Sequence, residues 1–410
     1  MGEGYRSVEA QASESGAISP RLPLRDWILL PLLSALTMLA LAFAFKMIGA
    51  RMLASTDPIG DCIVLDRAKT QRGVPNRACW KKETESPPVL YSFNACGYRT
   101  KLDCAAKSPG TYRIALLGSS YPFGWAVKQQ DSFAELLPAE LSQRTGRSIQ
   151  VYNASMIGEG GIPRTVASRF HEFLAVQPDA ILWIVDPWDI DKADRHPVPW
   201  MWMELGDAIK YHLKQAFLRK APLSAISPIS ASIQDKWVVS KPGRLIQHYL
   251  FQSQSEYVKL YLERGGQSGF LKAEPDADWK YRLDMFNGYA ADIEAQAKAA
   301  GVPVIVVFVP NRAEAAMISM NKWPAGYDPY KLGEEVRAIV TSHGATYVDI
   351  LPDFRAIANP EQYYYPIDNH PDAAGHAIIA DMLARELTSG AVSPLRVDHQ
   401  SRSTSMKGNE

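Results

Sequence analysis

The sequence predicts an α/β protein built on a doubly wound parallel sheet, preceded by a transmembrane helix and interrupted by a helical insertion. Three features carry that prediction. Five short runs rich in Ile, Val and Leu alternate with amphipathic stretches between residues 112 and 350; a charge-free run covers Trp27 to Phe45; and a Trp- and Pro-rich passage at 196–281 breaks the alternation. Composition sets the outer limits. The chain has 410 residues with 44 basic and 44 acidic side chains, is 47% hydrophobic and 21% charged, which excludes a disordered polar chain and a multispan membrane protein. A formal charge of zero removes the broad positive field that nucleic acids require, so small molecules and neutral glycans are the partners left open.

Residues 1–26 read as a polar cytoplasmic lead and 27–46 as the anchor. At about 1.5 Å per residue the Trp27 to Phe45 run crosses a bilayer core of roughly 30 Å. A cleaved secretory signal is the competing reading, but the polar lead is long and Lys46 to Arg51 offers no small-residue cleavage site. Basic residues on the two flanks nearly balance, so cysteine placement decides the sidedness. Cys62, Cys79, Cys96 and Cys104 all lie in the segment 47–110 and none follows. An oxidising compartment gives that clustering a reason, as two disulfides with three possible connectivities. A zinc site would need Cys-x-x-Cys spacing or a neighbouring His, and neither is present. The body is therefore expected in the periplasm or outside the cell.

The first half of the body, 111–195, holds expected strands at Tyr112 to Leu117, Gln150 to Asn153 and Ala180 to Val185; the second half, 282–388, holds Pro303 to Val309 and Thr346 to Ile350. Their dense apolar character fits strands buried on both faces. Helical spacing covers Asp131 to Gln143, Pro163 to Val176, Arg282 to Ala299 and Leu332 to Ser342, with Asp131 as an N-cap and Gly301 as a stop. The insertion, with Trp200, Trp202 and Trp237, reads as aromatic packing on the sheet edge or as a wall over the site. Residues 389–410, polar and Ser-rich, read as a disordered tail.

Chemistry begins where the first strand ends. Gly118-Ser119-Ser120-Tyr121-Pro122-Phe123-Gly124 places glycines around two serines at a strand-to-helix turn, a position from which a hydroxyl can project off the sheet's C-terminal edge. A serine is a poor nucleophile until a base takes its proton, and Asp368 and His370, in Tyr365-Pro366-Ile367-Asp368-Asn369-His370, offer an orienting carboxylate and that base. His376 falls inside the following helix and reads as a packing residue.

These blocks resemble the SGNH/GDSL hydrolase superfamily, in particular its membrane-anchored extracytoplasmic members, over about residues 91 to 388. Phe93-Asn94-Ala95-Cys96-Gly97-Tyr98-Arg99 is similar to the lead-in found there, and Gly118, Ser119, Ser120 and Gly124 match the first block with Ser119 in place of Asp. Asp368 and His370 match the terminal block with one residue between them. Val151 to Gly160 resembles the second block, with Ser155 where the oxyanion Gly stands. Asp186-Pro187-Trp188-Asp189 aligns with the third, an indole replacing the side-chain amide.

The resemblance implies a three-layer α/β fold and a serine esterase removing acyl groups, acetyl first, from an envelope or extracellular glycan. An O-acyltransferase acting on such a glycan, and a non-catalytic glycan-binding scaffold, are the alternatives. Ser120 is implied as nucleophile, His370 as base and Asp368 as its orienter, with Ser155, Trp188, Asp189 and Gly124 at oxyanion or substrate-binding positions. No cofactor or metal is implied. The implied partners are an acylated glycan, the membrane through one helix, and machinery that modifies or exports polysaccharide.

Overall fold

A computed structural model describes residues 23–53, 62–65, 71–105, 107–157, 162–193, 241–251, 253–263 and 268–396. Trp200, Trp202, Trp237 and most of the expected insertion lie outside the described residues, as do most of the N-terminal lead and the end of the expected tail. The chain divides into two units at Met52. The first holds α1 (Leu24–Leu53), whose stretch Arg25–Ile48 is long and apolar enough to cross a membrane. Its Trp27, Leu30 and Phe43 side chains are exposed. An apolar N-terminal helix, signal or anchor, together with disulfides in the body, marks an extracytoplasmic chain.

The body opens with two antiparallel pairs, β1 (Ile63–Leu65) with β2 (Gln71–Gly73), and β3 (Ala78–Lys82) with β4 (Pro88–Ser92). Of the three possible disulfide connectivities the structure has Cys62–Cys79 and Cys96–Cys104. Tyr91 and Phe93 pack with Val89, Cys62, Ile157 and Phe123 into a small core of their own. The Cys-containing segment is therefore joined to the turn that carries the candidate nucleophile.

The rest alternates strand and helix: β5 (Tyr112–Leu117), α2 (Ser120–Phe123), α3 (Phe133–Thr145), β6 (Ile149–Asn153), α4 (Ile162–Ser168), α5 (Phe170–Leu174), β7 (Ala180–Val185) and α6 (Pro187–Asp191). It continues with α7 (Lys241–Ile246), α8 (Gln254–Glu263), α9 (Ala277–Ala300), β8 (Val304–Phe308), α10 (Arg312–Met320), α11 (Lys331–His343), β9 (Thr346–Val348) and α12 (Ala373–Glu386). Five strands form one parallel sheet in the order β6-β5-β7-β8-β9. Strand order reverses direction at β5, so right-handed crossovers place α3 on one face and α9 and α11 on the other. Packing agrees: α3 lies on α12, while α9 lies on α4 and α11. Every residue of β5, β7 and β8 is buried, which is why β7 and β8 read as unbroken apolar runs and β5 as one interrupted only by Arg113.

Three local expectations change. The cap of α3 is Ser132, and Asp131 instead ends a short 3-10 turn. The helix expected across Pro163 to Val176 breaks at Arg169 into α4 and α5; the Arg169 guanidinium is buried there against Glu172 and Tyr98. The start of the expected tail is packed instead, with Val392 and Leu395 buried in the main core. Gly301 does end α9 in the left-handed conformation, at φ 69°.

Candidate active site

A sheet of this order leaves a crevice at its C-terminal edge between β5 and β7, where the strand order reverses. Gly118 ends β5 at φ 146°, and a Cβ there would lie 2.5 Å from the Ile184 carbonyl oxygen, so only glycine lets the chain turn so close to β7. The next two serines part company. Ser119 is buried and donates its hydroxyl to Asp186 Oδ2 at 2.6 Å, tying the turn after β5 to the turn after β7. Ser120 opens α2 and is partly exposed.

From the far end of the chain, residues 365–370 fold into a closed turn. Tyr365 N–H donates to the His370 carbonyl at 2.9 Å, Asn369 N–H to that of Tyr365 at 2.8 Å, and Asn369 is left-handed at φ 66°. Tyr121, one residue beyond Ser120, donates its phenol to the Asn369 carbonyl at 3.3 Å. Buried Arg312 supports the approach by donating to the carbonyls of Pro366 at 2.7 Å and Glu361 at 3.2 Å. The turn presents His370 so that Nε2 lies 2.7 Å from Ser120 Oγ and Nδ1 lies 2.5 Å from Asp368 Oδ1. A carboxylate can only accept, so Nδ1 carries the proton and Nε2 accepts from the serine.

Burial works against a charge on Asp368, but the attraction of the neighbouring His370 and the hydrogen bonds from it, with a smaller contribution from Trp125, outweigh burial and hold the carboxyl below its ordinary value.

The structure thus brings Ser120, His370 and Asp368 into one hydrogen-bonded chain, and treats the other candidate residues differently. The backbone N–H of Ser155 does not face the crevice as a free donor: it donates to Asn153 Oδ1 at 3.1 Å, and the residue is buried. Gly124 is a turn residue, left-handed at φ 81°, its N–H bonded to the Ser120 and Tyr121 carbonyls and its carbonyl held by Arg99. Asp189 is buried and completes a capping box, its Oδ2 accepting from Asp186 N–H at 3.2 Å while Asp186 accepts from the amides of Trp188 and Asp189. Burial, and then the charge of Asp186, push the Asp189 carboxyl well up. The Trp188 ring is partly exposed, with the Lys192 ammonium 5.6 Å from its centroid. His376 is buried against Phe133, and burial lowers it to about 3.

Two participants escaped the sequence reading. Glu85, on the β3–β4 turn, accepts from the backbone N–H groups of Ile367 at 2.8 Å and Asp368 at 3.2 Å. Burial raises its carboxyl to about 7. Trp125 follows Gly124 directly; its ring lies 6.1 Å from that of His370, and it helps to hold the Asp368 carboxyl low. Only its place beside the serine turn marks Trp125 in the sequence, and nothing local marks Glu85.

No protein-family model matches the chain, and no curated protein matches it. Among solved structures it is similar to TesA, at 10% identity and a TM-score of 0.35 over 69% of this chain and 99% of that one. It is also similar to a catalytic mutant of Axe2, an acetylxylan esterase from Geobacillus stearothermophilus, at 14% identity and a TM-score of 0.36 over 68% and 96%. A third is the psychrotrophic esterase EstA from Pseudoalteromonas sp., at 11% and 0.34 over 67% and 96%. The second and third of these are esterases.

Proposed function

We propose that the chain is a membrane-anchored serine esterase of SGNH/GDSL type, removing acyl groups, acetyl first, from an envelope or extracellular glycan. The observation that carries the reading is the continuous hydrogen-bonded path from Ser120 Oγ through the imidazole of His370 to Asp368. In this reading His370 Nε2 takes the Ser120 proton as Oγ attacks the ester carbonyl carbon, and Asp368 stabilises the imidazolium that results. The imidazolium returns the proton to the departing alcohol oxygen as the C–O bond breaks, leaving an acyl group on Ser120. Water, deprotonated by the same imidazole, releases the acid. A sugar hydroxyl in place of water gives an acylated sugar instead. The apolar helix α1 and the two disulfides support an anchored body on the extracytoplasmic side, where polysaccharide-modifying or exporting machinery would be its neighbours.

The occupied Ser155 amide favours a second reading, a non-catalytic glycan-binding subunit. One experiment separates the two. The full chain in detergent is expected to release acetate from a nitrophenyl ester, and Ser120→Ala to abolish release. Equal turnover by both proteins would overturn the nucleophile assignment, and no turnover by the wild type would favour the binding reading. Product analysis with an acylated donor and sugar acceptors then tells loss to water from transfer.

A further inference from the structure

The two halves of the candidate triad come from turns some 250 positions apart, and one element touches both. The turn after Ser120 is held by β4: Tyr91 accepts from the Ala126 N–H at 2.8 Å and stacks on Phe123 at 5.8 Å between ring centroids. The turn that carries Asp368 is held by the β3–β4 loop, where Glu85 Oε2 accepts from the amides of Ile367 and Asp368. A third link runs from β3: Lys81 Nζ stands 4.2 Å from the Trp125 ring centroid and 2.7 Å from Glu83, and the Trp125 ring in turn lies 6.1 Å from that of His370.

The hairpin itself is fixed from several directions. Cys79 on β3 is bonded to Cys62, five paired positions join the two strands, and Ser86 closes the loop by accepting from Glu83 N–H at 3.2 Å. Glu85 holds a left-handed backbone at φ 76°, a conformation an L side chain rarely takes without something to hold it. Here its carboxylate is held by two amides.

We infer that Glu85 is a positioning residue: by fixing the backbone of Ile367 and Asp368 against the disulfide-bonded β3–β4 hairpin, it sets where the Asp368–His370 pair stands relative to Ser120. The inference rests on the esterase reading, and it makes the N-terminal Cys-containing segment part of the catalytic apparatus.

The test compares Glu85→Ala with Glu85→Gln in the full chain. Gln keeps the oxygen that accepts both amides; Ala removes it. A displacement on the order of 1 Å in a catalytic pair costs about 10² in rate, so Glu85→Ala is expected to lower kcat by about 10- to 100-fold. KM should stay within about twofold, because no substrate contact is removed. Glu85→Gln is expected to retain kcat within about threefold of wild type. A second readout does not need turnover: the downfield proton of the His370 Nδ1–H bond to Asp368, observed by NMR, should persist in Glu85→Gln and weaken or vanish in Glu85→Ala. Full kcat in Glu85→Ala, equal losses in both variants, or an unchanged Nδ1–H resonance in Glu85→Ala would overturn the inference. If the wild type fails to turn over, the esterase reading fails and the resonance alone decides whether Glu85 positions the pair.

Discussion

Ser119 and Ser120 are adjacent hydroxyls at one turn, and substituting each by alanine should produce opposite failures. Ser119 Oγ donates to Asp186 Oδ2 at 2.6 Å, and both residues are buried. Ser119→Ala leaves that oxygen without its partner; losing a hydrogen bond to a charged group costs about 1.5–3 kcal/mol. At about 2 °C per kcal/mol for a body of this size, the melting temperature should fall by about 3–6 °C. The nucleophile is untouched, so turnover of nitrophenyl acetate should stay within about tenfold of wild type. Ser120 is partly exposed, and its hydroxyl bonds only a partly exposed imidazole in the site. Ser120→Ala should therefore melt within about 2 °C of wild type, since a net loss near 1 kcal/mol is the ordinary value for such a bond. Its turnover should fall by at least about 10⁴-fold. Differential scanning fluorimetry and a stopped-time nitrophenol assay on the same preparations read both quantities. Abolished turnover in Ser119→Ala with an unchanged melting point, or persistent turnover in Ser120→Ala, would show that the wrong hydroxyl has been identified.

Asp368→Asn should reduce kcat by about 10⁴-fold with the fold intact, because an amide no longer selects the tautomer with the proton on Nδ1; steady-state kinetics beside circular dichroism would check it. The carboxyl of Glu85 stands at about 7 against an ordinary 4.5, so its folded form prefers the proton. Its contribution to stability is fully present below pH 4.5 and is lost as pH rises through about 7. Denaturant titrations should accordingly show Glu85→Gln more stable than wild type at pH 9, by an amount on the order of 3 kcal/mol, with little difference at pH 4.5; a constant difference across that range would contradict the assignment. The Cys62–Cys79 bond spans 17 positions, and Cys62→Ser with Cys79→Ser should cost about 3 kcal/mol of stability by the loop-entropy relation. Because Cys79 lies on the hairpin that carries Glu85, kcat should fall in the same protein under conditions where it remains folded.

The strands of the sheet were legible because a parallel strand covered on both faces has no polar side to disguise it: Ala180–Val185 and Val304–Phe308 are found where the apolar runs place them, and Tyr112–Leu117 likewise despite Arg113. The pairing of Ser120 with His370 was legible for a different reason, since a serine between glycines after one strand and an imidazole before the last helix both belong at the same sheet edge. The β3–β4 hairpin was hidden. Its strands are short and mix Cys, Trp and Lys, and the bonds from Glu85 to the amides of Ile367 and Asp368 join positions 282 and 283 apart, a distance no local pattern crosses. The occupied Ser155 amide is an intermediate case. Asn153 Oδ1 accepts from the N–H two residues on, an Asx turn that a single asparagine after a strand can announce.

That Asx turn bears on the chemistry more than its size implies. Asn153 cannot rotate away to free the Ser155 amide at little cost, because its Nδ2 also donates to the Pro122 carbonyl at 2.9 Å, so the side chain is fixed at both ends. Asp189 is likewise committed to the start of α6, and Gly124 to the end of α2. Among the positions expected to bind the oxyanion this leaves the indole of Trp188, and the Ser120 N–H, on the first turn of α2 where intrahelical acceptors are lacking, can join it. One missing donor costs about 10² to 10³ in rate. The burden falls most heavily on esters with poor leaving groups, whose transition states carry the most charge on the carbonyl oxygen, and least on nitrophenyl esters. A site with a well-formed proton path and few oxyanion donors is therefore expected to act readily on activated acyl donors and slowly on simple alkyl acetates, and to depend on groups contributed by its natural substrate for the remainder.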